Sequence, residues 1–467
     1  MTAKSFIYWI RFSFCHPEQI YVMLTECFLH PSSLCLIRTM KFNAFMRLGP
    51  AFFLLQTATT LSLLAGHVFR LALAWWCLKE THSAVAFSSL IAFSVAAEIY
   101  LKPFLASFGD RFHRIKFING CQLAVFVIMM LFSLACSAGQ FHLVLLTAGL
   151  IAMSAVASVR EPTIMGLIPD LIDDGHISRA ISSRSAINSV IMLTGPVLAA
   201  SLIALFSIGL ALYAAALLQG LSCLACVLLA KRPVCMHSPR ADESWFSKTK
   251  GGFVAIYRVK SEFHIALISA LINFTMFPFF SVTIPFWMST ELHLPASYLG
   301  AFEFSFAIGL LAGSLYLNAA ITRNVGRFWN VVIGFILLGG SVPAIVLVPD
   351  INISIALAFF CGLAFNLINV NLSTLRATAT PGHYRTRMAA MSAFLSSLVN
   401  PFGVMIAGGF IHWLGVSVFT LFSGLAVLMI APLLLCSWHL KRALSLEEGE
   451  MKGYYEKTYP KAFTKEG

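Results

Sequence analysis

Pro103-Phe-Leu-Ala-Ser-Phe-Gly-Asp110-Arg111-Phe-His-Arg114-Ile-Lys116 sets four charges, Asp110, Arg111, Arg114 and Lys116, between two runs of almost pure hydrocarbon. The run before it, 83–101, carries one acid, Glu98; the run after it, 117–138, carries no charge. A helix that crosses a bilayer needs about 20 apolar residues, and basic residues collect in the links on the cytoplasmic side. The stretch therefore reads as a cytoplasmic turn between two membrane helices.

The composition agrees. Mean hydropathy is +0.83, with 58% apolar and only 11% charged residues, whereas soluble domains carry about a quarter charged residues. A chain of 467 residues cannot hide that much hydrocarbon from water in one core, so lipid is the solvent. Membrane barrels alternate apolar and polar residues at every second position, and these runs do not, so the fold class is an all-α membrane protein. The net charge of +12 invites a nucleic-acid partner, but its distribution argues against one. Arg111, Arg114 and Lys116, Arg179 and Arg184, the group 231–260, Arg323 and Arg327, Arg376, Arg385 and Arg387, and Lys441 and Arg442 fall in alternate links or the tail. Lys79 is the exception. The positive-inside rule then puts both termini in the cytoplasm and makes the number of crossings even. Eleven cysteines are scattered. Cys223-x-x-Cys226 lacks a partner pair and flanking ligands, and reads as buried thiols.

Twelve spans are expected, at about 50–77, 84–103, 117–138, 141–159, 186–206, 208–230, 264–288, 297–320, 329–348, 352–374, 389–413 and 415–438. They group as a six-helix bundle at 47–230, a cytoplasmic linker at 231–263 and a second six-helix bundle at 264–440. A charged, loosely ordered cytoplasmic tail fills 441–467. Around Phe253 the linker has the pattern of a short surface helix. Residues 1–46 read as an interfacial or cytoplasmic arm, unless translation begins at Met40 or Met46. An internal repeat supports two halves. Thr194-Gly195-Pro196 precedes Gly209-Leu-Ala-Leu-Tyr much as Val399-Asn400-Pro401 precedes Gly415-Val-Ser-Val-Phe, and Gly326-Arg327 echoes the charged link.

The link resembles the signature loop between helices 2 and 3 of major facilitator superfamily transporters, Gly-x-x-x-Asp-Arg/Lys-x-Gly-Arg-x-Arg/Lys. Ala106, Asp110, Arg111, His113, Arg114 and Lys116 occupy its fixed positions, so Ala106 and His113 stand where the pattern has glycine. A second resemblance, Arg160-Glu-Pro162 through Pro169, then Ala180, Asn188 and Gly195-Pro196, is to the branch containing the bacterial enterobactin exporter and macrolide-efflux proteins. Ile164 stands where that branch usually has arginine. The likeness covers about 48–440. It implies twelve helices in two bundles of the major facilitator fold, with helices 1, 4, 7 and 10 lining a central path. It also implies that Asp110, Arg111 and Arg114 latch helix ends together, and that Gly195-Pro196 bends helix 5, as in antiporters. From the residues alone, the latch charges also fit a solvated turn, and Gly195-Pro196 also fits a packing kink.

Ionisable side chains cost about 2.5–3.5 kcal/mol at mid-span and are functional candidates by default. Arg70 suits an anionic substrate or an acid partner. Glu98 sits four residues before Lys102, spaced for a local ion pair. Glu303 lies near the outer end of the eighth span. Gln56, Thr57 and Thr60, Asn273 and Thr275, and Asn366 and Asn369 mark polar faces; Phe277, Phe280, Phe302 and Phe304 offer an aromatic wall. His67 suits either a substrate contact or a bond to a neighbouring helix. No phosphate loop, metal-ligand cluster or nucleophile–base pattern is present, so neither an enzyme nor an ATP-driven pump is expected. The expectation is a monomeric secondary transporter of the bacterial inner membrane. It needs no cofactor, runs on the proton gradient, and exports a small amphipathic compound, a siderophore or drug-like molecule, by alternating access. Proton-coupled uptake of a metabolite, and a non-transporting sensor or scaffold, are the alternatives.

Overall fold

The computed structural model describes residues 49–105, 113–172, 176–232 and 245–463. The choice between an N-terminal arm and a later start lies outside them, as do Asp110 and Arg111. Helix α1 spans Pro50–Thr81, opened by Pro50 behind Gly49 and closed by His82 at φ 46°, the left-handed stop common at helix ends. Then follow α2 (Ala84–Leu105), α3 (Arg114–Ser137), α4 (Leu143–Leu171), α5 (Ile177–Leu205) and α6 (Ile208–Ala230). Ser207 caps α6 by accepting from Leu210 N, filling one of the donors a helix start leaves open.

The linker contributes α7 (Trp245–Arg258). The second half holds α8 (Lys260–Glu291, with two π turns), α9 (Ala296–Ala312), α10 (Asn318–Leu347), α11 (Ile351–Ala379), α12 (Gly382–Ser397), α13 (Asn400–Leu428) and α14 (Ile430–Cys436). Ten helical stretches are long and apolar enough to cross a membrane, but Ala296–Leu347 has 52 residues and Arg387–Cys436 has 50. At 1.5 Å per residue each would reach past 70 Å, more than twice the hydrocarbon thickness. Both fold back instead, at glycines in the left-handed half of backbone space: Gly326 (φ 83°) and Gly415 (φ 80°). Asn330 Nδ2 lies 2.8 Å from Asn318 Oδ1, twelve residues back, where a straight helix would separate them by about 18 Å. Each long stretch therefore supplies two crossings, and the described residues make twelve.

These divide into a first bundle, α1–α6, and a second, α8–α14. Helices run past the expected ends: α4 continues through Asp170 and α5 begins at Ile177, because charges there find partners and the backbone ladder goes on. The tail through residue 463 is not loose. Short helical turns at Glu448–Met451 and Tyr454–Thr458 pack beneath the second bundle, with Tyr455, Met451 and Ala462 buried. Gly453 N donates to Thr378 O (3.2 Å), and Arg258 Nη1 donates to Lys461 O (2.8 Å). The apolar side chains among the charges cover the helix ends. Helix α7 also docks on protein, its Gly252 lying so close that a Cβ would stand 2.9 Å from Arg387 O.

Candidate functional site

The end carrying the 103–116 link, α7 and the tail is the loop side; the other is the far side. The two bundles meet in their far halves. There Gly300 of α9 faces Pro196 O and Ala200 of α5, and Gly408 of α13 faces Ser88 and Ala84 O of α2. Farther toward the loop side, Tyr100 Oη of α2 donates to Leu398 O (2.9 Å). On the loop-side half of α11, Asn369 and Ser373 are exposed, as is Phe53 on α1. Small residues let backbones close the far seam, while the loop-side halves carry larger polar groups.

On the second bundle, Phe280 stands 4.6 Å from Phe306 and 6.3 Å from Phe302, and Phe306 stands 6.1 Å from Phe365, ring to ring. This aromatic chain joins α8, α9 and α11. Nearer the loop side, a pocket of about 70 Å³ between α8 and α11 is lined by Ser269, Asn273, Asn369, Ser373 and Arg376. Asn273 Nδ2 donates to Ser396 O (3.1 Å), and Asn366 Nδ2 donates to Ser314 Oγ (2.6 Å). Gln56 is buried and donates to Thr60 Oγ1 (3.3 Å). These three polar residues each have a partner within the protein.

The charged candidates separate. Arg114 ties the start of α3 to the end of α4, donating through Nη1 to Asp170 Oδ2 (2.9 Å) and Gly166 O (2.8 Å). Arg70 is exposed and donates Nε to its own helix at Gly66 O (3.3 Å); its charge acts through space on His67 and on half-buried Glu303. The ion pair expected between Glu98 and Lys102 does not form: both are exposed on α2, where neither gains enough to give up water. Gly195 is buried where His67 of α1 crosses α5, so that a Cβ would stand 2.8 Å from His67 Cγ. Pro196 sits inside α5 without a non-helical residue around it.

Sequence reasoning passed over a polar network inside the first bundle. Arg160 of α4 donates to Ser62 Oγ (2.9 Å) and Gln122 Oε1 (3.2 Å). Gln219 Nε2 donates to Gln122 Oε1 (2.8 Å), Gln122 Nε2 to Ser222 Oγ (3.0 Å), and Ser222 Oγ to Ala58 O (2.7 Å). Four helices, α1, α3, α4 and α6, are thereby joined away from water. Beside it Arg184, expected in a link, is buried on α5 at 3% exposure and pairs with Glu161 at 3.0 Å. Glu161 also stands 3.9 Å from Arg160. Two cations share one half-exposed acid, and Nε of both arginines has no hydrogen-bond partner. The signal was available: glutamines at 122 and 219 inside apolar runs, and a span closed one residue before Arg160.

A family model for the Major Facilitator Superfamily matches residues 55–280. Macrolide efflux protein A of Streptococcus pyogenes is 19% identical over 387 residues, covering 81% of this chain and 94% of that protein. The MFS-type transporter YfiS of Bacillus subtilis is 25% identical over 391 residues, 80% of this chain and 90% of that one. Among solved structures, the nucleoside transporter NupG superposes with a TM-score of 0.63 at 11% identity, over 83% of this chain and 99% of that one. A bacterial homologue of the lysosomal transporter Spinster, inward-facing and unoccupied, gives 0.61 at 14%, over 90% and 100%. With two six-helix bundles, a glycine-turned repeat of the charged link and relatives matched over most of their length, the chain has the fold of the major facilitator superfamily of membrane transporters and is similar to its members in sequence.

Proposed function

We propose that this transporter exports a small amphipathic compound, a drug-like molecule or a siderophore, across the bacterial inner membrane in exchange for protons, with both termini in the cytoplasm. The observation that carries the reading is the uneven seam. The bundles are joined by small residues on the far side, while an aromatic chain lies at mid-depth and the loop-side half keeps an exposed amide and hydroxyl, Asn369 and Ser373. If the loop side is cytoplasmic, as basic links favour, this is the inward-facing arm of an alternating-access cycle. Phe280, Phe306 and Phe365 offer rings to the apolar part of a substrate, and Asn369, Ser373 and Asn273 offer hydrogen bonds to its polar part, the mixture that ligand sites use. The likeness to Macrolide efflux protein A favours outward movement. Glu303, on which the charge of Arg70 acts through space, and Arg70 itself are the groups whose charge balance a proton would change.

Everted membrane vesicles test this reading. With an acidic lumen they should accumulate a labelled macrolide or cationic dye, and Glu303→Gln should cut the proton-driven part about tenfold. Accumulation in right-side-out vesicles under an inward proton gradient would replace export with uptake. Movement in neither would leave a sensor or scaffold.

A further inference from the structure

One departure from the family pattern has no place in the transport path. His113 stands where the signature loop has glycine. Its counterpart in the second half, Gly326, takes φ 83°, a conformation that side chains avoid. His113 takes φ −62°, which any residue adopts, so the two links are built differently. The His113 side chain is exposed at the mouth of a groove of about 710 Å³ between α3 and α4, well inside the roughly 300–1,000 Å³ range of ligand sites. Lys116 shares the mouth, and Phe117, Gly120, Cys121, Ala124, Ala155 and Val159 line the walls. No acid lines it. The neighbouring Arg114 turns instead to Asp170.

The groove has limits at both ends. The Arg114 contacts to Asp170 and Gly166 O tie the two helices at the loop side. Toward the far side Phe132 closes over Gly149, its ring overlapping the place where a Cβ would be. From His113 to Ala124 the helix rises about 16 Å at 1.5 Å per residue, close to half of a hydrocarbon layer about 30 Å thick. The groove is therefore one leaflet deep, with its charge at headgroup level and its apolar walls at chain level. A Cβ on Gly120 would meet nothing within 4 Å, so this wall is open.

We propose that this groove binds one anionic phospholipid of the loop-side leaflet, an acyl chain lying along Gly120, Ala124 and Ala155 and the phosphate resting on Lys116 and His113. The occupant follows from the charge: a neutral lipid or an apolar substrate would use the walls but not a rim of one sign. Lipid held there would brace α3 against α4 where the helices are apart.

Native mass spectrometry of the full chain in detergent, titrated with phosphatidylglycerol and with phosphatidylcholine, tests the assignment without any reading of transport. One phosphatidylglycerol should be retained, with about fivefold or greater preference over phosphatidylcholine, the order expected for a basic residue at an anionic headgroup. Gly120→Leu, which enters open space and leaves the helix contacts intact, should lower that binding about tenfold. Lys116→Gln combined with His113→Gln should erase the preference while leaving phosphatidylcholine binding as it was. Unchanged binding in Gly120→Leu would overturn the proposal, as would an unchanged preference in the paired variant. Competition by glycerol phosphate at lipid-like concentration would make the rim a free-anion site. One-for-one displacement by a macrolide whose own binding is lost in Gly120→Leu would make the groove a substrate entry and overturn the lipid assignment.

Discussion

Gly195 lies at a close crossing of α1 and α5, and the side chain that decides it is His67. The ring and Cβ of His67 lie 2.8–3.0 Å from where a Cβ at Gly195 would be, so the glycine provides room. Pro196 follows without a non-helical break in α5, which favours close packing over bending as the glycine's task. Gly195→Ala should destabilise the fold by about 1–3 kcal/mol, the usual cost of overpacking, and should lower transport with it. Adding His67→Ala should recover most of the loss, read as thermal unfolding of the purified protein. A double variant no more stable than Gly195→Ala would return the position to the helix-bending reading. The sequence made Gly195-Pro196 conspicuous but not its partner, because no local pattern ties a histidine in the first span to a glycine in the fifth. Arg184 was hidden for another reason. Hydropathy ends a span where charge begins, whereas a helix continues as long as its charges are matched, and Glu161 matches this one.

At the scale of the element, spans and links were legible because hydrocarbon runs of this length have one physical use, and Gly326 was conspicuous because it repeats the charged link. The tail was not legible: its charges suggested a solvated end, while its few apolar groups decide where it sits. Tyr455 is fully buried and donates to Glu262 Oε2 (3.1 Å). Glu262 begins α8, where a helix start favours an acid, and it pairs with Arg376 near the end of α11, where a helix end favours a cation. The tail thus supplies the second ligand of a buried carboxylate that joins two helices. Tyr455→Phe leaves that oxygen without its donor and should cost about 2 kcal/mol, seen as faster tryptic cleavage at Lys457; cleavage at the wild-type rate would deny the tail a structural part. Burial, and after it the Glu262 charge, hold the Tyr455 phenol well above its ordinary range. A group raised on folding contributes its full share below the unfolded value, near 10, and loses it as pH climbs beyond. Docking should therefore hold from pH 7 to about 10 and weaken above. Tail release on acidification instead would mean that another group controls it.

For the whole molecule the question is what sets the balance between a closed and an open far side. The far seam depends on residues too small to keep backbones apart: Gly300 against Ala200, and Gly408 against Ser88. In the proposed alternating-access cycle each is a contact made in one state and lost in the other, so a side chain added there raises the free energy of far-side closure while leaving the open state alone. At Gly408 a new Cβ would overlap the Ser88 side chain and stand 3.0 Å from Ala84 O. Overpacking of this kind costs about 1–3 kcal/mol, which is about a 5- to 150-fold shift in the ratio of the two states. That falls short of the roughly 10⁴-fold change needed to invert a 99:1 population, so Gly408→Leu should yield a mixture rather than a locked transporter. Spin labels on α2 and α13 at the far side should then give two distances where the parent gives mainly the short one, and transport should slow because closure has become the costly step. A single short distance in Gly408→Leu would mean that the wedge is absorbed within the closed state, and that the seam between α2 and α13 does not govern opening.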